Sequence, residues 1–296
     1  MISYDIKPMT ANTSMSIKDE AVVGAAMTVA QGFSSRPPAL GIGTALALRG
    51  GSQQDLTRLD LELDFSWQPA LASVIAEAID RARSPQAPWI TTAPVLLLGE
   101  NGVGRTHVAR RFAHVAGLPH STLDLQDVEV LERLQGIGRG PDVRIPLAPV
   151  LAMAASGCAN PVITVLGAET ATDSVQIELA RMIDPATADR FADNSVGATV
   201  DLRQVSWFVQ GQQPERIVAP LSRLLRRIEL IRPSGSERLL HVAEIIAEAV
   251  ADENAGASPT GQSLKRLLDS LHRIPSDRST SHLYDAARSI VRNGSV

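Results

Sequence analysis

Residues 94–116, PVLLLGENGVGRTHVARRFAHVA, restrict the fold more than any other stretch of the chain. Val95, Leu96, Leu97 and Leu98 form an apolar run with the length of a buried parallel strand, a glycine-bearing turn follows, and Val108, Phe112 and Val115 then recur at helical spacing. A strand, a tight loop and a helix in that order make a phosphate-binding unit. The loop Gly99-Glu100-Asn101-Gly102-Val103-Gly104-Arg105-Thr106 fits G-x-x-x-x-G-K-[ST] at every defined position but one. Glycines let backbone N–H groups converge on phosphate oxygens, the helix N-terminus adds its dipole, and the Thr106 hydroxyl is the candidate Mg²⁺ ligand. At the seventh position Arg105 replaces lysine, which keeps the charge but puts a broad planar fork where a compact ammonium should lie between the outer phosphates. A glycine-rich turn without a ligand is the bland alternative. The flanking strand and helix favour P-loop ancestry, whereas Arg105 argues against full nucleotide affinity.

A chain of 296 residues can bury a full core and suggests about two domains. Apolar content of 44% with only 3% aromatic residues is ordinary α/β material. The net charge of −4 offers no basic face for nucleic acid or a membrane surface. One cysteine, Cys158, permits no internal disulfide, and its apolar surroundings suggest a buried inert thiol. The start MISYDIKPMT has no secretory pattern and no segment has the length of a membrane span, so a cytoplasmic protein is expected.

Residues 1–66 read as an N-terminal extension without a dominant period, either a small β-containing element or an arm. Leu59, Leu61, Leu63 and Phe65 alternate with acids as an edge strand would. Leu71, Val74, Ile75, Ala78 and Ile79 mark a helix over 67–83 leading into a core domain spanning 67–232. Further strands are expected at 121–125, 161–166, 200–202, 205–209 and 227–231. Helices are expected at 146–159, 173–183 and 214–225. Beyond Pro233 three amphipathic helices, 236–251, 263–272 and 281–292, would form a helical lid over 233–296. His114, His120 and His241 show no metal-ligand spacing. Trp67, Trp89 and Trp207 read as core.

With these landmarks placed, residues from about 90 to 292 resemble the AAA+ ATPase module, in particular the ATPase domain of Lon-type proteases and their protease-less bacterial relatives. The likeness rests on PVLLLGENGVGRTHVARRFA, GCANPVITVLGAE, IELARMIDPATADRF, VDLRQVSWFV and IVAPLSRLLRRIEL, in that order. It implies a P-loop α/β core, a parallel sheet between helices, followed by a small all-helical lid. It also implies ATP or ADP with Mg²⁺ as cofactor, and homo- or hetero-oligomeric rings of AAA+ subunits that act on protein partners.

Position by position, the chemistry that the resemblance implies is eroded. The family's third core strand ends in Asp-Glu, which hold Mg²⁺ through water and orient the attacking water; Leu166 and Gly167 stand there, or Gly167 and Ala168 one register on. Glu169 falls near a later acidic position, and Asp173 is a second candidate carboxylate. The family's polar sensor corresponds to Gln212 or Gln210. Its arginine finger resembles Arg223, with Leu224 at the ungapped position and Arg226 and Arg227 close by. The lid's sensor arginine matches Ser281 or His282, with Arg278 three residues away. The substrate-threading loop corresponds to 136–141, which contains no aromatic residue, and the chain stops after the lid, so proteolysis by this polypeptide alone is not expected.

Loss of the two carboxylates should cost roughly 10²-fold or more in rate apiece. The expectation is therefore a pseudo-ATPase, a structural, adaptor or regulatory subunit in which nucleotide affinity is weakened or lost. The alternative is a working ATPase that remodels protein partners with Arg105 and Thr106 on the phosphates and Glu169 or Asp173 on the metal. DNA binding is a weaker third reading.

Overall fold

The computed structural model describes residues 25–32, 41–51, 68–127, 130, 146–193, 197–232, 241, 245 and 280–292. In chain order the described elements are β1 (Ala26–Thr28), β2 (Ala30–Gln31), β3 (Ala45–Ala47), α1 (Pro69–Ala82), β4 (Val95–Leu98), α2 (Arg105–Val115), β5 (His120–Asp124), α3 (Ala148–Ser156), β6 (Val162–Leu166), α4 (Asp173–Ile183), β7 (Phe191–Asp193), β8 (Ala198–Val200), β9 (Ser206–Gly211), α5 (Ala219–Ser222), β10 (Arg226–Glu229) and α6 (Thr280–Arg292). The expected strand around Leu59, the threading loop at 136–141, Trp67, Arg278 and the lid helix at 263–272 lie outside the described residues. Of the lid helix at 236–251 only His241 and Ile245 are described, both helical.

The main sheet has the order β10-β4-β9-β6-β5 and is parallel throughout. Both faces are covered, which is why its strands read as continuous apolar runs. Register sets the two faces: Leu96 pairs with Val209 and Val209 with Val165, and these point into a core with α3, α4 and Trp207. Val95 pairs with Phe208, and Val95, Leu97 and Phe208 face α1 and α2. α1 buries Leu71, Val74, Ile75, Ala78 and Ile79, the predicted stripe, and starts on Pro69, whose missing N–H is harmless in a first turn. A parallel sheet flanked by helices, with the strand ahead of the glycine loop between β10 and β9, is consistent with a P-loop AAA+ core.

Three expectations need correction. The expected strand at 200–202 is β8 (Ala198–Val200) and pairs with β2 and β7 in a separate antiparallel sheet. The helix expected over 214–225 is a single 3₁₀ turn, Pro214–Arg216, and the one-turn α5. Here the side chain of Gln176, 1% exposed, takes the backbone groups a helix would use: its Nε2 donates to the Arg216 carbonyl at 3.1 Å and its Oε1 accepts from the Val218 N–H at 2.8 Å. Ile217 and Val218 are extended as a result. Of the tryptophans, Trp207 is core, but Trp89 is only partly buried and its Nε1 donates to Gln204 Oε1 at 2.7 Å.

Residues 25–32 and 41–51 contribute to the core. Val29, Ala30, Ile42 and Leu46 are buried in the same cluster as Leu96 and Ile163. Fully buried Asn160 fastens this segment: its Oδ1 accepts from the Arg49 N–H at 2.9 Å, and its Nδ2 donates to the carbonyls of Arg49 and Ile90 at 2.9 and 2.8 Å.

Candidate functional site

The parallel register brings the C-terminal ends of β4, β6 and β9 together, and ligands of open α/β sheets gather at such ends. From β4 the chain enters the loop through Gly99 and leaves it at Gly104, the N-cap residue of α2, which has φ of 104°. Gly102 has φ of 78°. These left-handed conformations suit glycine, and a glycine loop ahead of a helix N-terminus is the backbone arrangement in which N–H groups can cradle a phosphate. The loop therefore fits a phosphate through its backbone.

Its side chains are already engaged with one another. Arg105 is half-buried; its Nη1 donates to the Gly99 carbonyl and, at 3.1 Å, to the Gly211 carbonyl at the end of β9, while Nη2 donates to Asn101 Oδ1 at 3.1 Å. Burial pulls the Arg105 pKa below its ordinary value, and the Glu169 carboxylate opposes that pull. It remains a cation at neutral pH, because an ordinary arginine titrates far above it. β9 alternates, so Ser206, Phe208 and Gln210 share the face toward α2. Gln210 Nε2 accordingly donates to Thr106 Oγ1 at 2.9 Å, and the Gln212 amide donates to Asn101 Oδ1. Both sensor candidates thus stand at the loop.

A magnesium site needs a carboxylate opposite Thr106. β6 ends in Leu166, and Gly167 follows with φ of 72°. A Cβ built on Gly167 would lie 2.7 Å from Gln126 Cγ. Glu169, the candidate alternative, is already engaged: its Oε2 accepts from the N–H groups of Gln212 and Gln213, both at 2.6 Å. With exposed Asp173 at the start of α4 it lines a separate surface depression beside Gln176 and Arg216. Among the described residues no group of three His, Cys, Asp or Glu could hold a metal. The described residues around the loop therefore fit a phosphate but do not by themselves supply a site for the metal that accompanies it in hydrolysis.

Arg223 is exposed at the C-terminal end of α5, Arg226 on the edge strand β10 pairs with Glu77 at 2.7 Å, and Arg227 Nη2 donates to Ser222 Oγ at 2.9 Å. Leu224 packs against the core. His282 is exposed near the start of α6. His114 is exposed, His120 meets Thr164 Oγ1 at 2.8 Å, and buried His241 stacks edge-on against His107, with ring centroids 5.0 Å apart.

Beside the loop opens a cavity of about 310 Å³, walled by Gly102, Gly104, Thr106, His107, Arg110 and Gln210 from the core and by Tyr284 and Asp285 from α6. The Arg110 guanidinium lies 4.8 Å from the centroid of the Tyr284 ring and donates to its hydroxyl at 3.2 Å. Sequence reasoning missed Arg110, Tyr284 and Asp285. The one available signal was spacing: Arg110 lies four residues after Thr106 and so on the same helix face.

No family model matches the chain. Among curated proteins it is similar to Lon protease 2 of Thermus thermophilus, 26% identical over 232 residues, covering 73% of this chain and 29% of that protein. Lon protease of Brevibacillus choshinensis is 30% identical over 152 residues, 49% of this chain and 19% of the relative. Lon protease of Aquifex aeolicus is 28% identical over 176 residues, 57% and 22% of the respective chains. The chain thus spans less than a third of the length of these relatives. Together with the parallel sheet, these likenesses are those of a Lon-type AAA+ ATPase module.

Proposed function

We propose that this AAA+ chain is a pseudo-ATPase: a structural, adaptor or regulatory subunit, working in an oligomer with protein partners, whose loop retains the shape of a phosphate site without the apparatus for hydrolysis. The observation that carries this reading is the end of β6. By the family resemblance Leu166 and Gly167, or Gly167 and Ala168 one register on, correspond to the metal-holding and water-orienting carboxylates, and Gly167 has a left-handed backbone that an acidic side chain would strain. Glu169 does not replace them, since the N–H groups of Gln212 and Gln213 already hold its carboxylate at 2.6 Å. A charge-assisted contact of that kind is among the stronger hydrogen bonds, so redeploying Glu169 to a metal would leave two donors to be satisfied again. Arg105 gives the same direction, because its guanidinium is bonded to the loop and to β9.

An assembly role agrees with the exposed Arg223 and Arg227, charges that a neighbouring subunit's acidic groups would complement; Arg226 is paired with Glu77 within the chain. The partners are other AAA+ subunits or proteins docking on them, in the cytoplasm. Among the described residues no helix is long and apolar enough to cross a membrane. The test is phosphate release from Mg-ATP by the purified chain, alone and mixed with a catalytically active AAA+ partner. No turnover by the chain alone is expected; steady hydrolysis by it would overturn the reading.

A further inference from the structure

We propose that the glycine loop is clasped by the chain itself: Gln210, Gly211 and Gln212 at the end of β9, held in turn by Glu169, keep the loop in shape with no ligand bound. This rests on the pseudo-ATPase reading and adds to it what orders the loop in place of a nucleotide.

Three consecutive residues at the end of β9 reach three positions of the loop. Gln210 Nε2 donates to Thr106 Oγ1 at 2.9 Å, the Gly211 carbonyl accepts from Arg105 Nη1 at 3.1 Å, and Gln212 Nε2 donates to Asn101 Oδ1. Arg105 completes the circuit from the loop's side. The same Nη1 donates to the Gly99 carbonyl, and Nη2 donates to Asn101 Oδ1 at 3.1 Å. A single planar guanidinium thus ties the first residue of the loop, its third residue and the strand end together. An ammonium is a compact point charge on a flexible stem, so the replacement that reads as a defect for phosphate suits this bridge.

The strand end is itself fixed from the side of β6. Glu169 Oε2 accepts from the N–H groups of Gln212 and Gln213, both at 2.6 Å, with the strength of a charge-assisted bond. It comes so near the strand that a Cβ on Gly211 would lie 3.4 Å from it. Its negative charge also favours the cationic form of Arg105. Loop, β9 and the turn after β6 are therefore one hydrogen-bonded unit. The Thr106 hydroxyl and the Arg105 donors, which a bound nucleotide would otherwise engage, already have partners within the chain. For Arg105 to turn toward a phosphate it would have to leave the carbonyls of Gly99 and Gly211 behind, and Gly211 is buried. An anion arriving at a loop that is already ordered has little left to rigidify.

Hydrogen exchange of the full chain, with and without inorganic pyrophosphate at about 1 mM, tests this at two amides. The Val103 N–H bonds to the Glu100 carbonyl at 3.3 Å inside the loop, and the Val108 N–H bonds to the Gly104 carbonyl at 2.9 Å where the helix begins. In the unchanged chain both should be protected without ligand, and pyrophosphate should slow them by less than about threefold. Glu169→Ala and Gln212→Ala should each speed them roughly tenfold, while Val165 and Val209 in the sheet keep their rates. Gln212 is exposed, so its variant decides the matter if Glu169→Ala does not fold. Slowing by tenfold or more with pyrophosphate in the unchanged chain, or unaltered exchange at both amides in the folded variants, would overturn the proposal. Phosphate release from Mg-ATP by a chain whose Val103 is protected would sink the pseudo-ATPase reading and spare the clasp; an unprotected Val103 without phosphate release would do the reverse.

Discussion

Gly167 concentrates the chemistry of the site in one backbone torsion. With φ of 72° and Gln126 Cγ 2.7 Å from where a Cβ would be, it disfavours any side chain at this position. Gly167→Ala should destabilise the fold by about 1 kcal/mol, seen as a lower urea midpoint with an unchanged slope. An unchanged midpoint would mean that the strand end adapts freely. For the same reason the triple variant Arg105→Lys, Leu166→Asp, Gly167→Glu should release no phosphate from Mg-ATP above background. Cys158 is a different single-residue case: burial pushes its thiol pKa up, beyond what Asn160 and Arg49 offset. The folded-state value then exceeds the unfolded one, so the unfolded chain gives up its proton first and stability falls as pH rises through the thiol range. Cys158→Ala should flatten the loss of stability between neutral and alkaline pH, measured by chemical denaturation at each pH. Equal slopes in both proteins would refute the assignment.

Among the elements, α2 links packing to the site, because the helix that begins at Arg105 is held on the sheet by Phe112. Phe112 is fully buried and tilts against Phe208 with centroids 5.5 Å apart. Phe112→Ala should cost about 3–5 kcal/mol, readable as a large drop in thermal midpoint. A second coupling joins α4 to the segment after β9, where Gln176 stands in for missing helical hydrogen bonds. Gln176→Leu would leave the Arg216 carbonyl and the Val218 N–H without it, at a cost of about 1–3 kcal/mol. Hydrogen exchange at Val218 should accelerate in that variant. If it does not, the extended conformation has another support.

At the scale of the whole molecule, the N-terminal segment and the sheet form one packing unit. Val29, Ile42 and Leu46 complete the core over Leu96 and Ile163, and Asn160 ties Arg49 and Ile90 together. A chain starting at residue 52 should expose this apolar face and lose cooperative unfolding, checked by calorimetry; a sharp transition at the original midpoint would show that the segment is dispensable. None of this was legible beforehand: β1, β2 and β3 are three, two and three residues long, too short for any hydrophobic period to register. By contrast α4 runs Asp173–Ile183, the residues its apolar spacing indicated, because eleven residues carry three turns of pattern.

Local order along the chain was enough to determine the strand-loop-helix unit, the parallel strands with helices between them, and that Leu166, Gly167 and Ala168 carry no acid. Each of these depends on neighbours within about a dozen residues, where period, glycine placement and residue type act directly. Tertiary structure alone decided what Arg105, Glu169 and Gln176 bond to, that Gly167 is left-handed, and that Arg110 meets Tyr284 from 174 positions away. A polar side chain is free to choose among many partners of similar strength, and only the packing of distant elements determines which of them lies within reach.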